Sequence, residues 1–154
     1  MKSLYYYEFK IGKIAIAQEG DYITDVFFKD FKNVEGSIIE TDLIKQTAKQ
    51  IEEYLEGTRK EFDIAIKLNG TEFQKRVWKK LMDIDYGKLA SYGEIAESIQ
   101  SPKAARAIGM ANNKNPIIII VPCHRVIGKS GKLVGYAAGL DVKEYLINLE
   151  RSNK

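Results

Sequence analysis

The chain has 154 residues, 45% of them hydrophobic and 29% charged, with a formal net charge of +3. This length allows one core or two small ones, and the ordinary composition excludes a fibrous or disordered chain. The longest apolar run, residues 117–121, is far too short to span a bilayer, and the N-terminus lacks the apolar stretch of a signal peptide. We expect a cytoplasmic monomer with no membrane partner.

Charge is distributed unevenly along the chain. Residues 1–68 carry 10 Lys and Arg against 13 Asp and Glu, a net charge of −3, whereas residues 69–154 carry 14 against 8, a net charge of +6. A basic half suits a polyanionic partner such as nucleic acid, although a solvated lysine-rich surface would have the same charge. One cysteine and one histidine exclude an internal disulfide and an ordinary zinc site, so we expect no metal and no cofactor.

The first half of the chain predicts strands, then a helix, then a strand. Aromatic and β-branched residues, separated by turn residues, predict three strands at residues 5–11, 13–17 and 22–28. Thr41 predicts the cap of a helix with apolar residues at helical spacing from Ile44 to Leu55. Residues 62–68 alternate in polarity, which predicts a half-buried strand. The Asn69-Gly70 turn places the boundary between an N-terminal domain of residues 1–68 and a C-terminal domain of residues 69–154.

The second half predicts helices. Three capping motifs predict helix starts, namely Thr71 with Gln74, Ser91 with Glu94, and Asp141 with Glu144. A short helix after Ser91, a break at residues 100–102 and a helix over residues 103–113 together predict a helix-turn-helix. The small residues of that last helix suit close approach to a second helix or to a DNA groove.

The only cysteine and the only histidine are neighbours, Cys123 and His124. They follow the apolar residues 117–121, which predict a buried extended segment. Cysteine reacts as its thiolate, and a nearby histidine commonly favours that form. A lone cysteine is also often a small buried hydrophobe, so the pair alone leaves both interpretations open.

The C-terminal half resembles the 6-O-alkylguanine-DNA alkyltransferases, which are suicide DNA-repair proteins. The resemblance covers about residues 70–154, and the order and spacing of its motifs agree with the family. These motifs are Ser91-Tyr92, Lys103-Ala104-Ala105-Arg106-Ala107, Asn115-Pro116, Pro122-Cys123-His124-Arg125-Val126, Gly135-Tyr136, Gly139-Leu140, Lys143-Glu144 and Glu150. Residues 1–68 match only in kind, as a small α/β domain.

The resemblance implies an α/β (α+β) fold. Its N-terminal domain has an antiparallel sheet and a helix, and its mostly helical C-terminal domain has a helix-turn-helix and a buried active-site cysteine. The implied function is DNA repair by direct damage reversal. The alkyl (methyl) group of 6-O-alkylguanine in double-stranded DNA moves irreversibly to Cys123 after minor-groove binding and nucleotide flipping. Because the product is a thioether, which has no easy hydrolytic exit, one event per molecule follows.

The resemblance also implies residue roles. Cys123 takes the alkyl group, His124 acts as its base through a bound water, and Glu150 orients His124. Tyr92 contacts the flipped nucleotide and supplies a proton to the leaving guanine, and Arg106 fills the vacated place in the base stack. Further DNA contacts are expected from Ser91, Lys103, Ala104 and Ala105. The base pocket and hinge are expected to comprise Asn115, Val126, Tyr136, Ala137 and Ala138.

Three positions depart from the family pattern. Ile118 stands where members commonly have a second proline, Ala137 where many have a serine that bonds the guanine oxygen, and Ala138 where glycine is frequent. We therefore expect bulky alkyl groups to be handled less well, without loss of methyl transfer. The zinc that some relatives bind in the N-terminal domain is not expected, because residues 1–68 contain no cysteine or histidine.

Two other functions remain as alternatives. Relatives that flag damaged bases without chemistry usually lack the nucleophile, which is present here as Cys123. A plain helix-turn-helix regulator would leave the Pro-Cys-His-Arg run, Asn115 and Glu150 without an explanation.

Overall fold

A computed structural model of the chain describes residues 1–133, 136 and 138–154. The chain divides into two compact units, one of Met1–Asn69 with Pro116–Ile118, the other of Gly70–Asn115 with Ile119–Lys154. The domain boundary after residue 68 stays a prediction. No helix in the described ranges is long and apolar enough to cross a bilayer.

The first unit is built on a four-stranded sheet in the order β3-β2-β1-β4. Strands β1, β2 and β3 are joined as antiparallel hairpins, and the short β4 pairs in parallel with β1. Their bounds are β1 Ser3–Phe9, β2 Gly12–Glu19, β3 Tyr22–Phe28 and β4 Ser37–Ile38. Helix α1, Asp42–Leu55, begins where predicted, because the Thr41 hydroxyl caps it by accepting the backbone N–H of Ile44.

The prediction of a strand over residues 62–68 is wrong, because these residues do not form a strand in the structure. Its side chains alternate between half-buried and exposed as expected, but the backbone forms one isolated bridge, from Ile66 to Ile23. The edge of β3 is shared, since Pro116–Ile118 lies against its other end. The Ile118 N–H donates to the carbonyl of Val26 over 3.1 Å, a bond that a proline at this position could not make.

The second unit is mostly helical, and the mixed α+β fold is therefore confirmed. The capping boxes at Thr71 and Ser91 are both formed, and they start α2 and α3. The Trp78 indole of α2 donates to the carbonyl of Ala111 in α4 over 2.8 Å, which ties the first helix of this unit to the third. The element bounds are α2 Glu72–Leu81, β5 Ala90–Ser91, α3 Tyr92–Ser98, α4 Ala105–Asn113, β6 Val126–Ile127 and α5 Leu140–Asn153.

Two predicted helix starts were wrong. Helix α4 begins at Ala105 rather than at residue 103, because the Ala104 N–H bonds the Ser101 carbonyl in a tight turn. Helix α5 begins after Gly139, whose φ of 102° suits glycine, and no side chain caps it. Asp141 is thus not the cap but lies in the first turn, where a carboxylate favours the helix dipole.

The extended segment predicted over residues 117–121 is also interrupted. All five residues are buried, but a turn occupies residues 119 and 120. Ile119 has a φ of 72°, a left-handed conformation that is rare for a β-branched residue. This turn lies directly before the Pro122-Cys123 corner of the second unit.

Candidate active site

Glu150 organises the centre of the second unit. Its carboxylate is 2% exposed and lies on the inner face of α5. It accepts hydrogen bonds from the Gly87 backbone N–H at 3.0 Å and from Arg125 Nε and Nη2 at 2.8 and 3.0 Å. The Nε2 atom of His124 lies 2.6 Å from Glu150 Oε2. A buried charge is tolerated only when it is paired and hydrogen-bonded, and this carboxylate is both.

His124 is therefore held in one tautomer. An ionised carboxylate can only accept a hydrogen bond, so Nε2 of His124 carries the proton and Nδ1 presents a lone pair. The ring is fully buried, and this burial lowers the pKa of His124 against the opposing effect of Glu150. The imidazole is consequently neutral at neutral pH and can act as a base through Nδ1.

Cys123 begins the 3-10 turn Cys123–Arg125 and is 3% exposed. Burial raises the pKa of its thiol to about 11, although contacts with Asn115, Lys143 and Tyr136 favour the thiolate. The resting site thus contains a neutral thiol on Cys123 and a neutral imidazole on the next residue in sequence. A histidine next in sequence does not by itself produce a thiolate here, because both groups are buried.

Two asparagine side chains brace the backbone around the thiol. Asn115 Nδ2 donates to the Val121 carbonyl over 2.8 Å, which closes the loop before Cys123. Asn112, which is 1% exposed on α4, donates to the Cys123 carbonyl over 3.2 Å. Asn115 was predicted from the sequence as a site residue, but Asn112 was not. The signal in the sequence was a polar residue four positions after Ile108, on the same face of the helix as that apolar residue.

Lys143 is a second buried group that was not selected as a site residue. It lies two helical turns before Glu150 on α5, so both side chains are on the same face, and it is 0% exposed. Burial lowers the pKa of Lys143 to about 8, while the nearby Cys123 opposes this change. Lys143 is therefore not a solvated surface lysine.

Arg125 and Trp78 are also buried. Besides Glu150, Arg125 binds the Ile84 carbonyl through Nη1 at 2.6 Å. Tyr136 is 8% exposed, and its hydroxyl lies beside the Cys123 thiol. Burial raises the pKa of Tyr136 well above its usual value, so this phenol stays protonated.

The remaining predicted pocket residues occupy several positions. Val126 is fully buried in β6, which pairs in parallel with β5. Ala138 is half-buried in a turn, and Ala137 lies outside the described residues.

The predicted DNA contacts lie on and around the helix-turn-helix. Arg106 and Ala105 are exposed in the first turn of α4. Lys103 and Ala104 belong to the turn before α4 rather than to the helix. Ser91 caps α3, and Tyr92 is its first residue, half-buried and close enough to Cys123 for the two to interact electrostatically. Tyr92 thus connects the helix-turn-helix to the thiol within one unit.

Within residues 1–133, 136 and 138–154, no group of three His, Cys, Asp or Glu side chains is placed to bind an ion.

The geometry defines a class of protein in which a helix-turn-helix shares a unit with a buried thiol and a histidine–carboxylate pair. Two family profiles match the chain. Residues 72–152 match the DNA binding domain of 6-O-methylguanine DNA methyltransferase, and residues 4–68 match its ribonuclease-like domain. The chain belongs to the 6-O-methylguanine DNA methyltransferase family.

Similar proteins agree with this assignment. A methylated-DNA–protein-cysteine methyltransferase of Methanosarcina acetivorans is 49% identical, with 97% of this chain and 99% of the relative covered. One of Mycobacterium leprae is 46% identical, with 92% and 87% covered. The crystal structure of Mycobacterium tuberculosis OGT in complex with DNA has a TM-score of 0.93 at 42% identity, with 98% and 94% covered.

Replacing Arg125 with methionine is expected to destabilise the protein by about 3–5 kcal/mol, because it leaves the buried Glu150 carboxylate without its main counter-charge. Urea unfolding would measure the change. Arg151→Met, at an exposed position of α5, is the control and should change stability by less than about 0.5 kcal/mol. Equal effects of the two substitutions would contradict the role given to Arg125.

Lys143 is expected to make stability depend on pH. The pKa of Lys143 is about 8 in the folded protein and 10.5 for a reference lysine. Between pH 8 and 10.5 the unfolded chain therefore binds more protons than the folded protein. The free energy of unfolding consequently rises with pH in this range. Cys123 acts oppositely, since its pKa changes from 9.0 to about 11, but only above pH 9. From pH 8 to 9, denaturant unfolding should show wild type gaining stability relative to Lys143→Met. If the free energies of unfolding of wild type and Lys143→Met changed in parallel with pH, Lys143 would not be the cause of the pH dependence.

Proposed function

We propose that this protein performs the reaction of its family, with Cys123 as the acceptor of the alkyl group from 6-O-alkylguanine in double-stranded DNA. The observation that carries the proposal is the buried Cys123 thiol, followed in sequence by the His124–Glu150 pair, in the unit that contains the helix-turn-helix. The relatives are named methylated-DNA–protein-cysteine methyltransferases, and the M. tuberculosis OGT structure contains DNA.

The reaction is a displacement at carbon. A bond forms between Cys123 Sγ and the alkyl carbon, while the bond from that carbon to the guanine 6-oxygen breaks. The thiol proton ends on the guanine, so the products are a thioether and an unmodified base. Nothing in the site offers a hydrolytic route back from a thioether, which makes each molecule act once.

Proton removal from Cys123 accompanies substrate entry rather than preceding it. The raised pKa keeps the thiol protonated in the resting protein. In the proposed mechanism, Nδ1 of His124 accepts the thiol proton through a bridging water, and Glu150 stabilises the resulting imidazolium. The ammonium of Lys143 adds a positive charge beside the thiolate as it forms.

Tyr92 supplies a proton to the leaving guanine. Burial, together with the nearby Cys123, raises the pKa of Tyr92, so the phenol keeps its proton at neutral pH. A protonated donor is needed because the guanine leaves as a poor, negatively charged group unless it gains a proton. Tyr92 and Cys123 therefore act on opposite sides of the same transfer, as acid and nucleophile.

DNA is bound through the helix-turn-helix. Turning the nucleotide out of the duplex costs a few kcal/mol of stacking and pairing. Arg106, exposed at the start of α4, is the residue that enters the stack in its place, and the small Ala105 beside it permits close approach to the minor groove. The other contacts proposed are Ser91, Lys103 and Ala104.

The remaining proposals follow from this activity. The base pocket is formed by Asn115, Val126, Tyr136, Ala137 and Ala138, with Asn115 as the hinge. A cytoplasmic location fits a protein whose substrate is chromosomal DNA, and the monomeric state stays a prediction. The alternative of a damage-sensing binder without chemistry is disfavoured because Cys123, His124 and Glu150 are all present.

Wild-type protein mixed with excess duplex containing 6-O-methylguanine is expected to gain the mass of one methyl group, and no second one on longer incubation. Cys123→Ser should gain none, because a serine hydroxyl is a far weaker nucleophile. Intact-protein mass spectrometry is the measurement. Unchanged mass of wild type with retained DNA binding would support the damage-sensing alternative instead.

Arg106→Ala is expected to slow methyl transfer from duplex DNA by about tenfold or more, since each 1.4 kcal/mol lost from the flipped state is a factor of ten. Transfer from the free base 6-O-methylguanine should be unaffected, because no flipping is required. The matched control is Arg151→Ala, an exposed arginine on α5. If Arg106→Ala slowed both substrates equally, Arg106 would not act through the duplex.

A further inference from the structure

Asn112 connects three parts of the proposed machinery. It lies on α4, the helix that begins with Arg106, and is 1% exposed. Its Nδ2 atom donates to the backbone carbonyl of Cys123 over 3.2 Å. The Tyr92 ring packs against the same helix one turn earlier, with its Cε1 atom 3.8 Å from where a Cβ on Gly109 would lie. The Asn112 side chain favours the charged form of the Tyr92 hydroxyl by hydrogen bonding. One buried side chain therefore contacts both the residue that accepts the alkyl group and the residue that gives the proton.

The orientation of the amide identifies which atoms face Tyr92. The bond to the Cys123 carbonyl needs a donor, so Nδ2 is on that side. The Oδ1 atom has no hydrogen-bond partner among the described residues. The contact with Tyr92 therefore uses the second N–H of Nδ2, with the phenol oxygen as acceptor. Such a bond strengthens when the phenol loses its proton, because hydrogen bonds to charged acceptors are stronger.

We propose that Asn112 is a positioning residue that stabilises the phenolate formed when Tyr92 gives its proton to the leaving guanine. This inference rests on the proposed function. The proton balance closes within the site: Tyr92 protonates the guanine, the thiol loses its proton to His124, and that proton later restores Tyr92. The phenolate exists only between these events. Asn112 therefore stabilises the transition state more than it stabilises the complex with bound substrate before reaction.

The direction of the Tyr92 titration agrees with this role. Burial and the neighbouring Cys123 raise the pKa of Tyr92, whereas the Asn112 contact lowers it. Without Asn112, Tyr92 would be a weaker acid. Among the other titratable groups, Lys143 acts on Cys123 through its charge and Tyr136 through a hydrogen bond, whereas His124 is hydrogen-bonded to Glu150. Lys143 and Tyr136 therefore affect the thiol of Cys123 more directly than the phenol of Tyr92.

The test compares two methyl donors that use the same thiol. Duplex 6-O-methylguanine has a leaving group that needs a proton, whereas iodomethane releases iodide, which needs none. Single-turnover rates would be measured with saturating duplex and with iodomethane for wild type, Asn112→Leu and Asn112→Asp, with peptide mapping of Cys123. Asn112→Asp keeps the side-chain shape but removes the N–H donor. Asn113→Leu, at the exposed neighbouring position of α4, is the control.

The expected result is that both Asn112 variants transfer methyl from duplex DNA about ten- to a hundredfold more slowly, as for loss of a hydrogen bond to a charged group. Their Kd for duplex and their iodomethane rates should match wild type and Asn113→Leu. A variant that had unfolded would be recognised by a faster iodomethane reaction, because the native thiol is 3% exposed.

Two results would overturn the inference. If the rates with both donors fell together, Asn112 would act on the thiol through the Cys123 carbonyl and not on Tyr92. If neither rate fell, the amide would only brace the loop. Failure of the proposed function is separate, because wild type itself would then take no methyl from the duplex, and the inference would fall with it.

Discussion

The rest of the site depends on the buried carboxylate of Glu150. Within the described part of the chain it accepts hydrogen bonds from a backbone N–H, from two nitrogens of Arg125, and from His124. A charge in this position is stable only while these partners remain, so the carboxylate fixes the Cys123–Arg125 turn against α5. The same contact selects the His124 tautomer whose lone pair is on Nδ1. One ion pair thus serves stability and proposed chemistry together.

Burial explains why Cys123, the proposed nucleophile, is protonated at rest. Desolvation favours neutral forms, which keeps the Cys123 thiol protonated and His124 uncharged. A reactive thiolate would be lost to any electrophile or oxidant, and each loss would be permanent for a protein that acts once. In the proposed mechanism, deprotonation is coupled to substrate entry, which limits the reaction to alkylated bases that reach the pocket. Lys143, also buried beside the thiol, provides positive charge for the moment when the thiolate forms.

Helix α4 connects the proposed DNA contact to the proposed catalytic residues, because one end of the helix is exposed and the other contains buried residues. Its first turn presents Arg106 to solvent, and its last turns bury Ile108 and Asn112. Asn115, just beyond the helix, holds the loop that leads to Cys123. In the proposed mechanism, a nine-residue helix therefore separates the DNA contact at Arg106 from the residues that transfer the proton.

Local sequence signals determined much of this protein. The capping boxes at Thr71 and Ser91, the Thr41 cap and the hairpin turns depend on residues within a few positions of one another, and the structure follows them. The Cys-His motif and Glu150 could likewise be predicted as site residues from the sequence, because family motifs keep their order and spacing along the chain. The α+β fold class and the family follow from these features together.

Tertiary structure decided what depends on distant partners. Residues 62–68 have the alternation of a strand but form one bridge, because Pro116–Ile118 occupies the rest of the β3 edge. The cap expected at Asp141 is replaced by Gly139, whose positive φ sets the entry to α5. The burial of Lys143 and the two contacts of Asn112 arise only when α4, α5 and the Cys123 turn come together. The pKa of the Cys123 thiol depends on its burial and its neighbours, so its protonated resting state could not be derived from the residue types alone.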